Sequence, residues 1–203
     1  MKILGLTGSI ACGKSTVANW LKERGAVVID ADTLVHELYR DPAFAAKISQ
    51  GFGKFVLGED GVVDRKALGN LVFGNPHKMV KLEKIVHPAV MELRDQRVRE
   101  IQQSENPPDV LVLDAVKLVE SGQYKICQAV WCLVVDRATQ TDRLIHKRNL
   151  THKEALQRII VQPPSEKKNV QTDIPIIYID NNGTLDELEQ NVQRLWQEFG
   201  ENH

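Results

Sequence analysis

Residues 3–16 read Ile3-Leu4-Gly5-Leu6-Thr7-Gly8-Ser9-Ile10-Ala11-Cys12-Gly13-Lys14-Ser15-Thr16. A short apolar run leads into a turn bounded by Gly8 and Gly13, and Lys14-Ser15 then opens a segment of helical periodicity. This is the pattern G-x-x-x-x-G-K-[ST] in the strand-to-helix setting that it requires. Glycines let the backbone curl so that successive N–H groups point inward, where they join the positive end of a helix in cradling phosphate oxygens. The candidate cradle is Gly8, Ser9, Ile10, Ala11, Cys12, Gly13, Lys14, Ser15 and Thr16. Lys14 brings a full charge toward the β- and γ-phosphates, and the Ser15 hydroxyl suits a Mg²⁺ ion bridging the same oxygens. ATP or GTP with Mg²⁺ is the implied ligand. Cys12 stands at a helix start, where a thiol can become reactive; an unreactive loop filler is the favoured alternative.

Outward from this stretch, apolar runs of strand length recur at 27–29, 110–113, 130–135 and 174–179, separated by helix-period segments. Such alternation predicts an α/β fold, a mostly parallel five-stranded sheet covered by helices on both faces. The first helix is expected from Lys14 to about Gly25, with Val17, Trp20 and Leu21 on one face. The last carries Leu188, Val192, Leu195 and Phe199 on one stripe and opens with a Thr184/Glu187 capping box. About eighty residues between the second and third strands show helical pattern, interrupted at Asp60-Gly61, Asn75-Pro76 and His87-Pro88. A second capping box, Thr151 with Glu154, opens a short helix ending near Val161, before Pro163-Pro164.

The chain has 203 residues, with 26 Lys plus Arg against 27 Asp plus Glu and 42 % hydrophobic residues. That composition suits one globular domain and provides no overall field to hold a nucleic acid. The longest apolar stretch, residues 129–135, is far short of the roughly 20 needed to span a membrane. No basic-then-apolar secretory signal opens the chain, so a cytoplasmic protein is expected. Three cysteines without paired spacing support neither a disulfide framework nor a zinc site.

Carboxylates stand where strands end. Asp30 and Asp32 follow the second strand; one can cap a helix while the other meets substrate. Asp114 follows the third, in the pattern of a second metal-supporting acid. Residues 137–168 hold eight basic residues against three acidic ones, which is either a solvated face or a basic lid, with Arg143, Lys147 and Arg148 as candidates. His87 precedes Pro88 at an expected helix start, where its imidazole either binds an acceptor phosphate or caps and packs.

Several separated features together resemble the dephospho-coenzyme A kinase family along nearly the whole chain. They are Leu6-Thr7-Gly8 through Gly13-Lys14-Ser15-Thr16-Val17-Ala18, Val28-Ile29-Asp30-Ala31-Asp32, His87-Pro88, Asp114 with Leu118 and Glu120, Arg143 to Asn149, Gln162 with Glu166-Lys167, and Ile179-Asp180-Asn181-Asn182-Gly183. The resemblance implies a phosphate-loop kinase with a three-layer α/β/α core (1–32, 109–148, 169–203), a helical acceptor-binding insertion (33–108) and a helical lid (149–168). It implies transfer of the ATP γ-phosphate to the ribose 3'-hydroxyl of dephospho-coenzyme A by a monomer acting on small molecules, with Mg²⁺ and with no nucleic acid or membrane partner. It further implies Asp32 as base, Lys14 and Ser15 as phosphate and magnesium contacts, Arg148 as a charge stabiliser, and Asn182-Gly183 beside adenine. Thr7, Asp32, His87 and Asp114 would face the acceptor. Where the family reads Asp-(Ile/Val)-Pro-Leu-Leu-(Phe)-Glu, this chain has Asp114-Ala115-Val116-Lys117-Leu118-Val119-Glu120, lacking the proline and adding a lysine. The alternatives are another nucleoside or nucleotide kinase on the same loop, or a nucleotide binder without catalysis. A guanine-reading switch is disfavoured, since no Asn-Lys-x-Asp tetrapeptide occurs.

Overall fold

The computed structural model describes residues 1–160 and 172–201. They form two compact units, Met1–Val28 with Pro108–His203, and Ile29–Pro107. The first unit is organised on strand β1 (Lys2–Gly8), a run buried from Ile3 onward. Around it lie β2 (Val27–Asp30), β3 (Val110–Asp114), β4 (Ala129–Val134) and β5 (Ile176–Asp180), in the order β2-β3-β1-β4-β5. β1 pairs parallel with β3 and β4, and β4 pairs parallel with β5. Strands buried on both faces need no polar alternation, which is why they stand out as apolar runs. Because successors of β1 lie on both sides of it, the chain switches direction at its carboxyl end, where open α/β sheets form their binding crevice.

One face of the sheet supplies Leu4 and Leu6 of β1, Val110 and Val112 of β3, and Trp131 and Leu133 of β4. They pack with α1 (Lys14–Glu23) through Val17 and Leu21, and with α8 (Leu185–Glu201) through Leu188, Val192 and Leu195. α1 stops at a Schellman motif: Gly25 N–H donates to Lys22 O (2.9 Å), Ala26 N–H donates to Leu21 O (3.0 Å), and Gly25 has φ 90°. The expected capping box of α8 is present, with Glu187 N–H donating to Thr184 Oγ1 and Thr184 N–H donating to Glu187 Oε2. Thr151 and Glu154 do the same for α7 (His152–Ile160). Residues 161–171, which include the anticipated end of α7 at Val161 and Gln162 to Lys168, lie outside the described residues.

The second unit is helical: α2 (Ala31–Arg40), α3 (Pro42–Phe52), α4 (Arg65–Val72) and α5 (Pro76–Gln102). Here one sequence expectation is corrected. Asn75-Pro76 starts a helix, with the Asn75 side chain accepting from Lys78 N–H (3.1 Å), but His87-Pro88 does not start another. Pro88 lies inside the 27-residue α5, so His87 is a mid-helix residue. An interior proline costs about 3 kcal/mol. The helix continues because Val86, Val90, Arg94 and Val98 form a buried stripe that packing holds across the break.

On the second face of the sheet, Gly5 lets the segment after β3 approach closely. A Cβ there would lie 2.5 Å from Leu118 Cδ2 and 3.0 Å from Val130 Cγ2. Gly5→Ala is expected to lower stability by about 1–3 kcal/mol through overpacking. The urea unfolding midpoint measures it, and an unchanged midpoint would show that Leu118 gives way freely.

Candidate active site

Every α-helix but one has a side-chain acceptor at its N-terminus among the described residues. Asp30, Asp41, Asp64, Asn75 and Asp136 cap α2 to α5 and α6 (Arg137–Arg148), and Thr151 and Thr184 cap α7 and α8. α1 begins at Gly13, which has no side chain to cap with. Thr16 N–H donates to Gly13 O (3.0 Å), which leaves the N–H groups of Lys14, beside the Cys12 thiol, and of Ser15 at the loop without an intrahelical acceptor. The sequence motif thus becomes a place where backbone donors and the positive end of α1 are left for an anion.

The loop is shaped by close approach. Gly13 has φ 94°, and a Cβ there would collide with Asn181 Nδ2. At Gly8 a Cβ would lie 2.6 Å from Cys12 Sγ and 2.9 Å from Leu133 O. Ala11 adopts φ 58°, the left-handed region that a non-glycine residue enters at a cost of about 1 kcal/mol. The Lys14 ammonium pairs with the Asp114 carboxylate, which is 5 % exposed at the end of β3. Ser15 is exposed in the first turn of α1. Thr7 is 1 % exposed and its hydroxyl donates to Val116 O (3.0 Å), so it acts on the shape of the neighbouring segment and not on solvent. The family's missing proline falls at Val116, yet this bond uses a backbone carbonyl that any residue supplies. Lys117 is exposed, and its carbonyl accepts from Ser121.

Cys12 is the loop filler and not a reactive thiol. It is 1 % exposed, and burial pushes its pKa up to about 11, outweighing the backbone N–H and charge of Lys14. Burial raises Cys132 likewise to about 11.

The turn after β5 divides its asparagines. Asn182 is exposed, accepts from Asp136 N–H (2.9 Å) and donates to Asp180 Oδ2 (2.8 Å), with Gly183 beside it. Asn181 is 6 % exposed and donates to Cys12 O (2.8 Å), a contact with the loop that the sequence did not reveal. Gln140, missed for the same reason, donates to Ser9 Oγ (2.5 Å) and Ile10 O (3.0 Å). Arg143, one of the three basic-lid candidates, donates to Ala11 O (3.3 Å) and Asn181 O (2.8 Å). The only sequence signal was spacing: Gln140 and Arg143 stand three apart and share a helix face. Lys147 and Arg148 are exposed at the end of α6, where Asn149 closes the helix with φ 51°.

In the helical unit, the capping half of the expectation for Asp30 and Asp32 is met. Asp30 is the cap, its carboxylate accepting from Asp32 N–H (2.8 Å), while the Asp32 side chain is exposed. Asp32 lines a cavity of about 450 Å³ together with Val35, His36, Tyr39, Arg65, Leu68 and Leu82. Burial raises the Tyr39 phenol above its ordinary value, with the charge of Arg65 opposing. The sequence pointed to neither His36 nor Arg65, although His36 stands one turn beyond Asp32. His87, half-buried on α5, is not among the residues lining this cavity.

The family model for dephospho-CoA kinase matches residues 2–187. The chain belongs to the dephospho-CoA kinase family. A dephospho-CoA kinase of Geobacter sulfurreducens is 42 % identical over 197 residues, covering 97 % of this chain and 98 % of that one. One from Shouchella clausii is 43 % identical over 183 residues, covering 89 % and 90 %. Among solved structures, a protein of Thermus thermophilus is similar with TM-score 0.75 and 29 % identity over 97 % of both chains. The dephospho-CoA kinase of Campylobacter jejuni has TM-score 0.68 and 26 % identity over 98 % of both. Among the described residues no helix is long and apolar enough to cross a membrane.

Cys12, Cys127 and Cys132 are all buried. At pH 8 the folded chain is therefore expected to react with an aromatic disulfide reagent only at the rate at which it opens, and to release three thiols rapidly in denaturant. A fast-reacting thiol in the native chain would contradict the position of Cys12.

Proposed function

We propose that this member of the family phosphorylates the ribose 3'-hydroxyl of dephospho-coenzyme A with ATP, releasing coenzyme A and ADP. The observation that carries the reading is the uncapped, glycine-opened start of α1 with Lys14 beside it, in a chain that matches the family over residues 2–187. In this reading the nucleotide triphosphate lies along Gly8 to Thr16, and Lys14 moves its charge from Asp114 to the transferring phosphoryl group. Asn182 and Gly183 sit on the adenine side, and Arg148 adds charge as the segment beyond α6 closes over the phosphates.

The residues present suit Mg²⁺. No group of three or more His, Cys, Asp or Glu side chains among the described residues could cage a metal, and Mg²⁺ needs none when it binds mainly through substrate phosphates and waters. Ser15, exposed at the start of α1, would hold it through its hydroxyl. When bound, the ion neutralises charge shared by the β- and γ-phosphates.

The cavity beside Asp32 supports an acceptor role for the helical unit, with an apolar lining in Val35, Leu68 and Leu82 and polar groups in Asp32, His36 and Arg65. Asp32 orients the acceptor hydroxyl and takes its proton late, because phosphoryl transfer passes through a loose transition state. An amide holds that hydroxyl but cannot accept the proton. Asp32→Asn is therefore expected to lower kcat by about 10²- to 10⁴-fold with ATP affinity little changed. Asp30→Asn should keep most activity, since asparagine caps a helix as well as aspartate. Lys14→Ala should abolish turnover while the chain stays folded. ADP release with and without dephospho-coenzyme A reads all three, and near-normal turnover in Lys14→Ala would sink the assignment.

A further inference from the structure

A loop that turns its N–H groups toward an anion turns carbonyls away from it, and buried carbonyls need donors of their own. In this chain three successive carbonyls have one each, all from side chains. Gln140 Nε2 donates to Ile10 O (3.0 Å) and also to Ser9 Oγ (2.5 Å). Arg143 Nη1 donates to Ala11 O (3.3 Å). Asn181 Nδ2 donates to Cys12 O (2.8 Å). The donors support one another: Arg143 Nη2 donates to Asn181 O (2.8 Å) and approaches Asn181 Oδ1 (3.4 Å). With its oxygen facing the guanidinium, the Asn181 amide has its nitrogen aimed at Cys12. Gln140 and Asn181 are 3 % and 6 % exposed, so neither has water as a ready substitute partner. At the centre of the three carbonyls sits Ala11, in the left-handed conformation at φ 58° that the free chain disfavours.

We infer that Gln140, Arg143 and Asn181 are positioning residues that hold the loop backbone in its anion-receiving shape. Each acts on the loop through a backbone carbonyl, those of Ile10, Ala11 and Cys12. Asn181 thus separates from its neighbour Asn182: the first sets the shape of the phosphate cradle, while the second is left for the nucleoside side. Loss of any of the three frees a carbonyl to rotate toward the cradle, where its partial negative charge repels an anion. The effect falls on phosphate binding whatever base is attached. This inference rests on reading residues 8–16 as a triphosphate cradle.

Calorimetric binding of ATP and of inorganic tripolyphosphate, each with Mg²⁺, tests it on the full chain. Asn181→Ala and Gln140→Met should each weaken both ligands by about tenfold or more, with the ATP-to-tripolyphosphate affinity ratio kept within about twofold. Gln140→Met keeps the length of the side chain while removing the donor and adding no charge. Arg143→Lys keeps charge but lacks the two-armed fork that reaches both carbonyls, and should give a smaller loss at the same ratio. Thermal unfolding of each variant separates a lost fold from a misshapen loop. Should Asn181→Ala fail to fold, Arg143→Lys reads the same ratio. Loss of ATP affinity with tripolyphosphate unchanged would overturn the inference, making these residues readers of the nucleoside. Unchanged affinity for both would overturn it too. A wild-type chain that bound neither ligand would overturn the cradle reading itself and the clamp with it.

Discussion

Backbone polarity has two ends, and a phosphate loop exposes the consequence: for each N–H aimed at a ligand there is a carbonyl that must find a donor elsewhere. In this chain the donors come from α6 and from the turn after β5. The geometry of the sheet makes that possible. β4 lies directly beside β1, and β5 beside β4, so the segments leaving both strands emerge on the same side as the loop that leaves β1. A different strand order would have placed other side chains there. The arrangement of the strands thus shapes the loop as much as its glycines do.

The helix ends show the same logic in reverse. Among the described residues, seven α-helices end their N-terminal donors on side chains of Asp, Asn or Thr, residues that favour caps because their short polar groups reach the backbone. α1 begins on glycine instead. A serine or aspartate at position 13 would satisfy those donors, but its Cβ would strike Asn181 and its conformation would be strained at φ 94°. Sterics and chirality thus keep this helix end free of the cap that local propensity would otherwise favour.

What the sequence disclosed was local. The strands were legible because burial on both faces makes them apolar throughout, and the end of α1 was legible because Gly25 is the residue a left-handed stop requires. Residues 8–15 were legible because all their chemistry lies within one turn of chain. α5 was misread because Pro88 signals a break locally, whereas the buried stripe of Val86, Val90 and Val98 that overrides it becomes visible only once a packing partner exists. The family resemblance had already singled out Asp32, but that Asp30 is the cap became visible only when α2 had a definite start. Gln140 had only its spacing from Arg143 to mark it, and Asn181 had no local signal of its contact. Nothing about an asparagine at 181 says that its amide meets a carbonyl at 12, and Arg143 looked like one more charge on a basic face.

The bond from Asn181 to Cys12 spans 169 residues of sequence. Loop closure over such distances is entropically costly and belongs to the late, slow part of assembly. The glycine-rich turn directly follows β1, whereas the groups that hold its carbonyls come from α6 and from the turn after β5. A partly assembled chain therefore carries the motif without its supports, and Ala11 is free to leave the left-handed region. The defined shape of the loop and the completion of the sheet arrive together. The shape of the loop is thus a property of the assembled sheet and not of the loop's own sequence.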